Sequence, residues 1–130
     1  MSTAPDTPLL TYSQMLNLLR VEFARARRYG APLSCLVLQL DRLDALSSTH
    51  GEPFRQAAQR ELVALAQDET RLCDAVAFYD ERLALILPHT DAEGVEVLGR
   101  RLMERVEGVR PRAGGQPVVV TVSVVVSTEA

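Results

Sequence analysis

The stretch RLCDAVAFYDERLALILPHT, residues 71–90, decides the fold, because it holds two apolar runs separated by a single pair of acidic residues. The runs at 73–79 and 82–87 have the composition of strands, and the break between them is Asp80-Glu81. So short a connection joins antiparallel neighbours, so the stretch predicts a β-hairpin. Asp-Glu is not a pair that such turns favour, which leaves the turn type open.

Apolar side chains at helical spacing predict three helices around this hairpin. Capping boxes of Thr11 with Gln14 and of Thr90 with Glu93 mark the starts of two of them. The helices cover residues 11–29, 53–67 and 90–107. Their expected inner faces are Tyr12, Met15, Leu16, Leu19, Phe23 and Ala26 in the first, Phe54, Ala58, Leu62 and Leu65 in the second, and Val95, Leu98, Leu102 and Val106 in the third.

Two further runs predict strands. Residues 33–40 (LSCLVLQL) are nearly all apolar, as in a strand covered on both faces, and residues 118–127 (VVVTVSVVVS) are strongly β-branched. Residues 41–48 are expected to form a short helix, and 110–117, rich in Gly and Pro, a loop. This order predicts an α+β fold of the ferredoxin-like type, with one mostly antiparallel sheet flanked by helices.

Length and composition limit the classes of function. A chain of 130 residues allows one domain, which we expect at residues 10–130 after a flexible tail, 1–9. The net charge of −3 gives no reason to expect nucleic acid or an anionic membrane as a partner, and no signal peptide or spanning apolar run is present. Cys35 and Cys73 lie in apolar stretches without a Cys/His cluster, which predicts two buried free thiols in a reducing cytoplasm and no metal site.

Three segments together resemble the GGDEF family of diguanylate cyclases. They are RARRYGAPLSCLVLQLDRL at 25–43, the hairpin stretch at 71–90, and VVVTVSVVVS at 118–127. The resemblance implies the family's antiparallel sheet. Family members continue past the last of these strands with a helix and a strand, so we expect a truncated domain that lacks both. Either a protein partner or a second copy then covers the surface left open, or the sequence is part of a longer protein.

The family's catalytic positions are altered in this sequence. Gln39 stands at the position of a magnesium-binding carboxylate, so that only Asp41 remains of an acidic pair. Ser47 and Gln56 stand at the guanine-reading positions, and the GGDEF signature falls within residues 80–84, where Asp80 and Glu81 replace the glycines that admit substrate phosphates. These departures imply no catalytic residues, no bound metal and no cyclase activity.

A second family site is retained. Arg71-Leu72-Cys73-Asp74 matches the RxxD motif that binds cyclic di-GMP in many members, and residues 75–79 give it the family spacing to the signature. A further arginine from the following helix corresponds to Arg101. The resemblance therefore implies a catalytically inactive signalling module that binds cyclic di-GMP through Arg71, Asp74 and Arg101, without a resident cofactor.

One alternative to ligand binding stays open. Arg71 and Asp74 form a local ion pair in the simplest interpretation, and the stem of Arg101 covers the apolar stripe of its helix. The chain would then be a protein–protein interaction or dimerisation domain that binds no nucleotide.

Overall fold

The predicted hairpin forms the middle of a five-stranded sheet. The computed structural model describes residues 9–108, 112–113, 116–117 and 122–129. In chain order its elements are β1 (Leu9–Leu10), α1 (Tyr12–Tyr29), β2 (Leu33–Leu40), α2 (Leu43–His50), α3 (Glu52–Glu69), β3 (Ala75–Tyr79), β4 (Arg82–Pro88), α4 (Ala92–Glu107), β5 (Arg112–Ala113), β6 (Gln116–Pro117) and β7 (Val122–Glu129).

The sheet has the strand order β1-β3-β4-β2-β7. The pairs β3–β4, β4–β2 and β2–β7 are antiparallel, and the two residues of β1 pair in parallel with β3 at Val76 and Ala77. The predicted α+β fold is thus confirmed. The short strand at Leu9–Leu10 was missed, because two residues carry no periodicity.

The hairpin turn consists of Asp80 and Glu81, both in the left-handed region with φ of 48° and 62°. Positive φ at both positions is the type I′ arrangement, whose twist matches that of the flanking strands. For a residue with a Cβ, this left-handed backbone conformation costs roughly 1–3 kcal/mol of conformational free energy. The turn therefore keeps a conformation that favours glycine, although it contains none.

Helices cover both faces of the sheet. On one face α2, α3 and α4 pack on the strands around Phe54, Leu36, Leu85 and Leu102, all almost fully buried. The predicted inner faces of α3 and α4 lie here as expected, with Leu98 partly buried at the edge. On the other face α1 packs a smaller cluster onto the sheet through Met15 and Ala26. No helix in the described residues is long and apolar enough to span a membrane.

The first helix was predicted correctly in extent but not in orientation. Its capping box of Thr11 and Gln14 is present, and Gly30 ends it with φ of 66°. Tyr12, Leu16 and Phe23, however, are exposed, whereas Glu22 is buried and bonded to Arg25. Leu19 is partly buried and packs with Met15 and Ala26 against the sheet, so the sheet covers only part of the predicted inner face.

Three local predictions, concerning a helix cap, the burial of the two cysteines and a loop, were wrong. The N-cap of α4 is Asp91, whose side chain accepts the N–H of Gly94, and not Thr90. Cys73 is exposed in a turn and Cys35 only half-buried, so neither thiol is a core residue. Residues 112–113 and 116–117 are paired antiparallel strand residues within the stretch expected to be a loop. The first part of the last predicted strand, 118–121, lies outside the described residues.

Candidate functional site

The RxxD motif folds into a turn just before β3, and its aspartate is the centre of that turn. Asp74 Oδ2 accepts the backbone N–H of Arg71 at 2.8 Å and its Nε at 3.2 Å, while Oδ1 accepts Nη2 at 3.0 Å. The thiol of Cys73 lies 3.7 Å from Oδ1. The carboxylate is buried, and these donors occupy its lone pairs.

Arg71 connects this turn to two other elements. Its Nη2 also donates to the carbonyl of Pro88 at 2.9 Å and to Oγ1 of Thr90 at 2.7 Å. The hydrogen bond to Asp74, followed by the Coulomb attraction between the two charges, raises the pKa of the Arg71 guanidinium despite partial burial. Arg71 is therefore a structural link between the turn, the end of β4 and the start of α4.

Arg101 reaches the same region from α4. Its Nη1 donates to Glu69 Oε1 at the end of α3, at 3.2 Å. Glu69 also accepts Arg105 at 2.8 Å, and Arg105 contacts Asp68 at 2.6 Å. The Arg101 and Arg71 side chains are about equally exposed, at 55% and 54%. Arg101 donates to Glu69 alone among the described contacts, whereas Arg71 donates to Asp74, Pro88 and Thr90, so Arg101 is held less firmly.

An open cleft of about 470 Å³ lies between the turn and α4. It brings together the three residues that the sequence predicted, Arg71, Asp74 and Arg101. Its wall is completed by Glu69, Leu87, Thr90, Asp91, Glu93, Gly94, Val97 and Leu98. Two cations thus face four carboxylates, so an anionic ligand has to replace an existing carboxylate partner of an arginine. Glu69, the partner of Arg101, was missed because it is distant in sequence.

A second polar region surrounds the hairpin turn. Gln39 on β2 lies opposite Arg82 on β4, and Arg82 Nε is 3.4 Å from the Gln39 amide oxygen. Arg82 also lies 3.7 Å from a carboxylate oxygen of Asp80. A guanidinium and an amide thus meet where the strands end.

Arg55 ties the hairpin turn to the helices. Its guanidinium contacts Glu81 in the turn, Asp44 of α2 at 2.7 Å and Glu52 at 3.6 Å, and its side chain is only 17% exposed. The hydrogen bond to Asp44, followed by the attraction of Glu81, raises the pKa of Arg55. Sequence reasoning missed Arg55: only its spacing from Glu52 is a local signal, and the other two partners come from separate elements.

Solved structures show what this arrangement resembles. The chain matches no protein-family model and no curated protein. It superposes on the diguanylate cyclase SiaD of Pseudomonas aeruginosa, solved with its activator SiaC, with a TM-score of 0.87 and 25% identity over 97% of this chain. The GGDEF domain of DgcB from Caulobacter crescentus, solved with c-di-GMP, gives 0.87 and 19% over the whole chain and 80% of its own.

The FimX GGDEF domain of Pseudomonas aeruginosa gives a TM-score of 0.85 and 22% identity over 98% of this chain and 80% of its own. The chain has the fold of a GGDEF domain. It spans about half, 49%, of the SiaD chain.

The GGDEF fold separates the two predicted sites. The turn Asp80-Glu81, where the resemblance places the signature, lies beside Gln39, Arg82 and Arg55, whereas the RxxD turn lies at the opposite end of the same hairpin. Ser47 is on α2, and its Oγ is buried without a hydrogen-bond partner among the described residues. In that part of the chain no cluster of three or more His, Cys, Asp or Glu residues is arranged to hold a metal ion.

Proposed function

We propose that the chain is a catalytically inactive GGDEF-type signalling module that binds cyclic di-GMP in the cleft between the RxxD turn and α4. The shared cleft carries the proposal: Arg71, Asp74 and Arg101 come from two separate elements and line one cavity. The DgcB domain, which has the same fold, was solved with c-di-GMP. That structure supports the choice of ligand.

The three side chains offer complementary contacts to a guanine dinucleotide. A guanidinium holds a phosphate, or the O6 and N7 edge of guanine, through two parallel hydrogen bonds. Asp74 accepts N–H donors, and its weakest contact, the thiol of Cys73 at 3.7 Å, is the one that a guanine N–H would replace. Arg101 is exposed and can turn from Glu69 toward a ligand.

Glu69 competes with the ligand for Arg101. A phosphate must displace the Glu69 carboxylate from Arg101, after which Arg105 still neutralises that carboxylate at 2.8 Å. Exchange of one charged partner for another yields less than the gross energy of either contact. We therefore expect micromolar binding that weakens with salt.

The first test is calorimetric titration of cyclic di-GMP into the wild-type protein and into Arg101→Ala. Loss of one charge-assisted contact, worth about 1.5–3 kcal/mol, is expected to weaken binding by roughly 10- to 100-fold. Arg101 is a cleaner probe than Arg71. Removing the Arg71 side chain would leave the buried Asp74 carboxylate without its cation and the Pro88 carbonyl at the end of β4 without its donor.

Arg100→Ala is the matched control. It removes an exposed cation of the same helix that does not line the cleft. Its affinity is expected to stay within about threefold of wild type, since only an exposed charge outside the cleft is lost. No binding to wild type at tens of micromolar ligand, or equal losses in both variants, would contradict the proposal.

The proposed inactivity rests on the hairpin turn. Two-metal phosphoryl transfer needs anionic oxygen ligands and room for a triphosphate. At this turn an amide, Gln39, faces a cation, Arg82, and Glu81 is held by Arg55. Asp80 and Glu81 keep the left-handed backbone but add two carboxylates where phosphates would approach.

We accordingly expect no conversion of GTP. Incubation with GTP and magnesium, followed by chromatography for cyclic di-GMP and a pyrophosphate assay, should give no product above the buffer control, while an active cyclase run in parallel gives both. Product formation that scales with protein concentration would overturn the proposed inactivity.

The alternative is a protein–protein interaction or dimerisation domain that binds no nucleotide, and the exposed apolar residues of α1 are the observation that favours it. A cytoplasmic location is part of the proposal, since Cys35 and Cys73 are free thiols.

A further inference from the structure

Helix α1 carries more apolar surface than the sheet covers. Tyr12, Leu16 and Phe23 are 50%, 41% and 40% exposed, and Leu19 between them is only partly buried. The residues that α1 buries most deeply are Met15, Glu22 and Ala26, and Leu18 and Leu19 pack beside them against the sheet. Tyr12, Leu16, Leu19 and Phe23 are called here the α1 stripe. Three of them are exposed and Leu19 is partly buried, and the Tyr12 ring contacts that of Tyr79 at 5.1 Å.

The spacing of the α1 stripe suits a second helix. Its members are separated by four, three and four residues, which is the alternation that places side chains along the seam between two packed helices. The stripe spans about three turns, or roughly 16 Å of helix. An amphipathic helix that lies against such a seam uses anchors at the same spacing.

Charged residues beside the α1 stripe indicate which charge a binding partner should carry. Arg20 and Arg27 follow the stripe on its solvent side, and the Arg27 guanidinium lies 5.8 Å from the centre of the Phe23 ring. Within the described part of the chain no carboxylate forms a salt bridge with either arginine, whereas the single acid of α1, Glu22, is buried against Arg25. The surface is thus apolar with a basic rim.

A second copy of the chain fits this surface poorly. Antiparallel pairing of two α1 helices would set Arg20 and Arg27 against the same two residues of the other copy, which repel each other. Parallel pairing would need Glu22 to meet Arg27, but Glu22 is buried and already bonded. Charge complementarity therefore favours a different, acidic partner.

We propose that the α1 stripe is a docking surface for an acidic amphipathic helix of another protein. Leucines of that helix would pack between Leu16, Leu19 and Phe23, and its glutamates would pair with Arg20 and Arg27. The site is on the opposite face of the sheet from α4 and does not depend on cyclic di-GMP.

The test uses a fluorescein-labelled 21-residue peptide, helical by design, with leucine at the seam positions and glutamate beside them. A second peptide carries lysine in place of each glutamate. Fluorescence anisotropy is expected to show saturable binding of the acidic peptide and at least about tenfold weaker binding of the basic one. The double variant Leu16→Ser/Phe23→Ser should lose at least about tenfold for the acidic peptide.

Val21→Ser is the matched control. Val21 is an apolar residue of the same helix that is 52% exposed, but it lies about 140° around the axis from Leu16. This variant should bind within about twofold of wild type. Circular dichroism and urea midpoints check that all variants remain folded.

Other outcomes overturn the proposal. Failure of the acidic peptide to bind, or equal affinity for both peptides, contradicts it. Dimerisation of the wild type that the double variant abolishes, measured by sedimentation, would assign the stripe to a second copy. Binding to phosphatidylserine vesicles with no affinity for the peptide would assign it to a membrane.

Discussion

Replacing Asp74 with asparagine is expected to lower the free energy of unfolding by about 2–3 kcal/mol. The Asp74 side chain is 3% exposed and accepts three N–H groups of Arg71. Asparagine keeps the shape but turns one acceptor into an N–H₂ group that faces those donors. Urea denaturation should show a lower midpoint with an unchanged slope.

Asp68→Asn provides the comparison, because the chemistry is the same and only the burial differs. Asp68 also pairs with an arginine, at 2.6 Å from Arg105, but its side chain is 68% exposed. An exposed ion pair contributes about 0–1 kcal/mol, so little loss is expected. Equal losses in the two variants would mean that burial does not set the contribution of Asp74.

The contribution of Asp74 to stability offers a structural reason for the presence of the RxxD motif. If Asp74 stabilises the turn by this amount, a folded domain needs the motif whether or not it binds a ligand. The ligand hypothesis therefore depends on Arg101, whose only role in the described contacts is an exposed ion pair with Glu69.

Local patterns predicted most of the fold. The hairpin, β2 and the inner face of α3 follow from short-range signals: a two-residue break, a run of apolar residues, and Phe54, Ala58, Leu62 and Leu65 at helical spacing. Such signals depend on neighbours within a few positions, so no knowledge of the tertiary structure is needed.

Features set by distant residues were not predictable in the same way. An apolar stripe shows that one side of α1 is apolar, but only the position of the helix on the sheet decides that Met15 is buried while Leu16 is not. Cys73 follows an apolar pattern, yet the turn that Asp74 nucleates carries it to the surface.

The candidate site was likewise predictable only in part. The resemblance identified Arg71, Asp74 and Arg101 one by one, but their meeting in one cleft depends on how α3 and α4 pack. The carboxylate that competes for Arg101, Glu69, is supplied by α3 through that packing. No sequence pattern links two side chains of opposite charge at such a separation.

Replacing Phe54 with alanine is expected to have the largest effect on stability, about 3–5 kcal/mol. Phe54 lies on the inner face of α3 and is 1% exposed, and its ring lies 5.3 Å from that of His50 at the end of α2. Removal of the ring leaves a cavity that the packed neighbours fill only in part. The higher helix propensity of alanine offsets only about 0.5 kcal/mol of this loss. Thermal and urea denaturation both measure this loss.

Phe23→Ala removes the same side chain from the α1 stripe and should cost no more than about 1 kcal/mol. Phe23 is 40% exposed, and Arg27 lies over its ring in a cation–π pair worth about 0.5–1 kcal/mol. A small loss would mean that the fold does not require this aromatic ring, which leaves its apolar surface available for a partner. A loss as large as that of Phe54→Ala would make Phe23 a core residue and contradict its place in the α1 stripe.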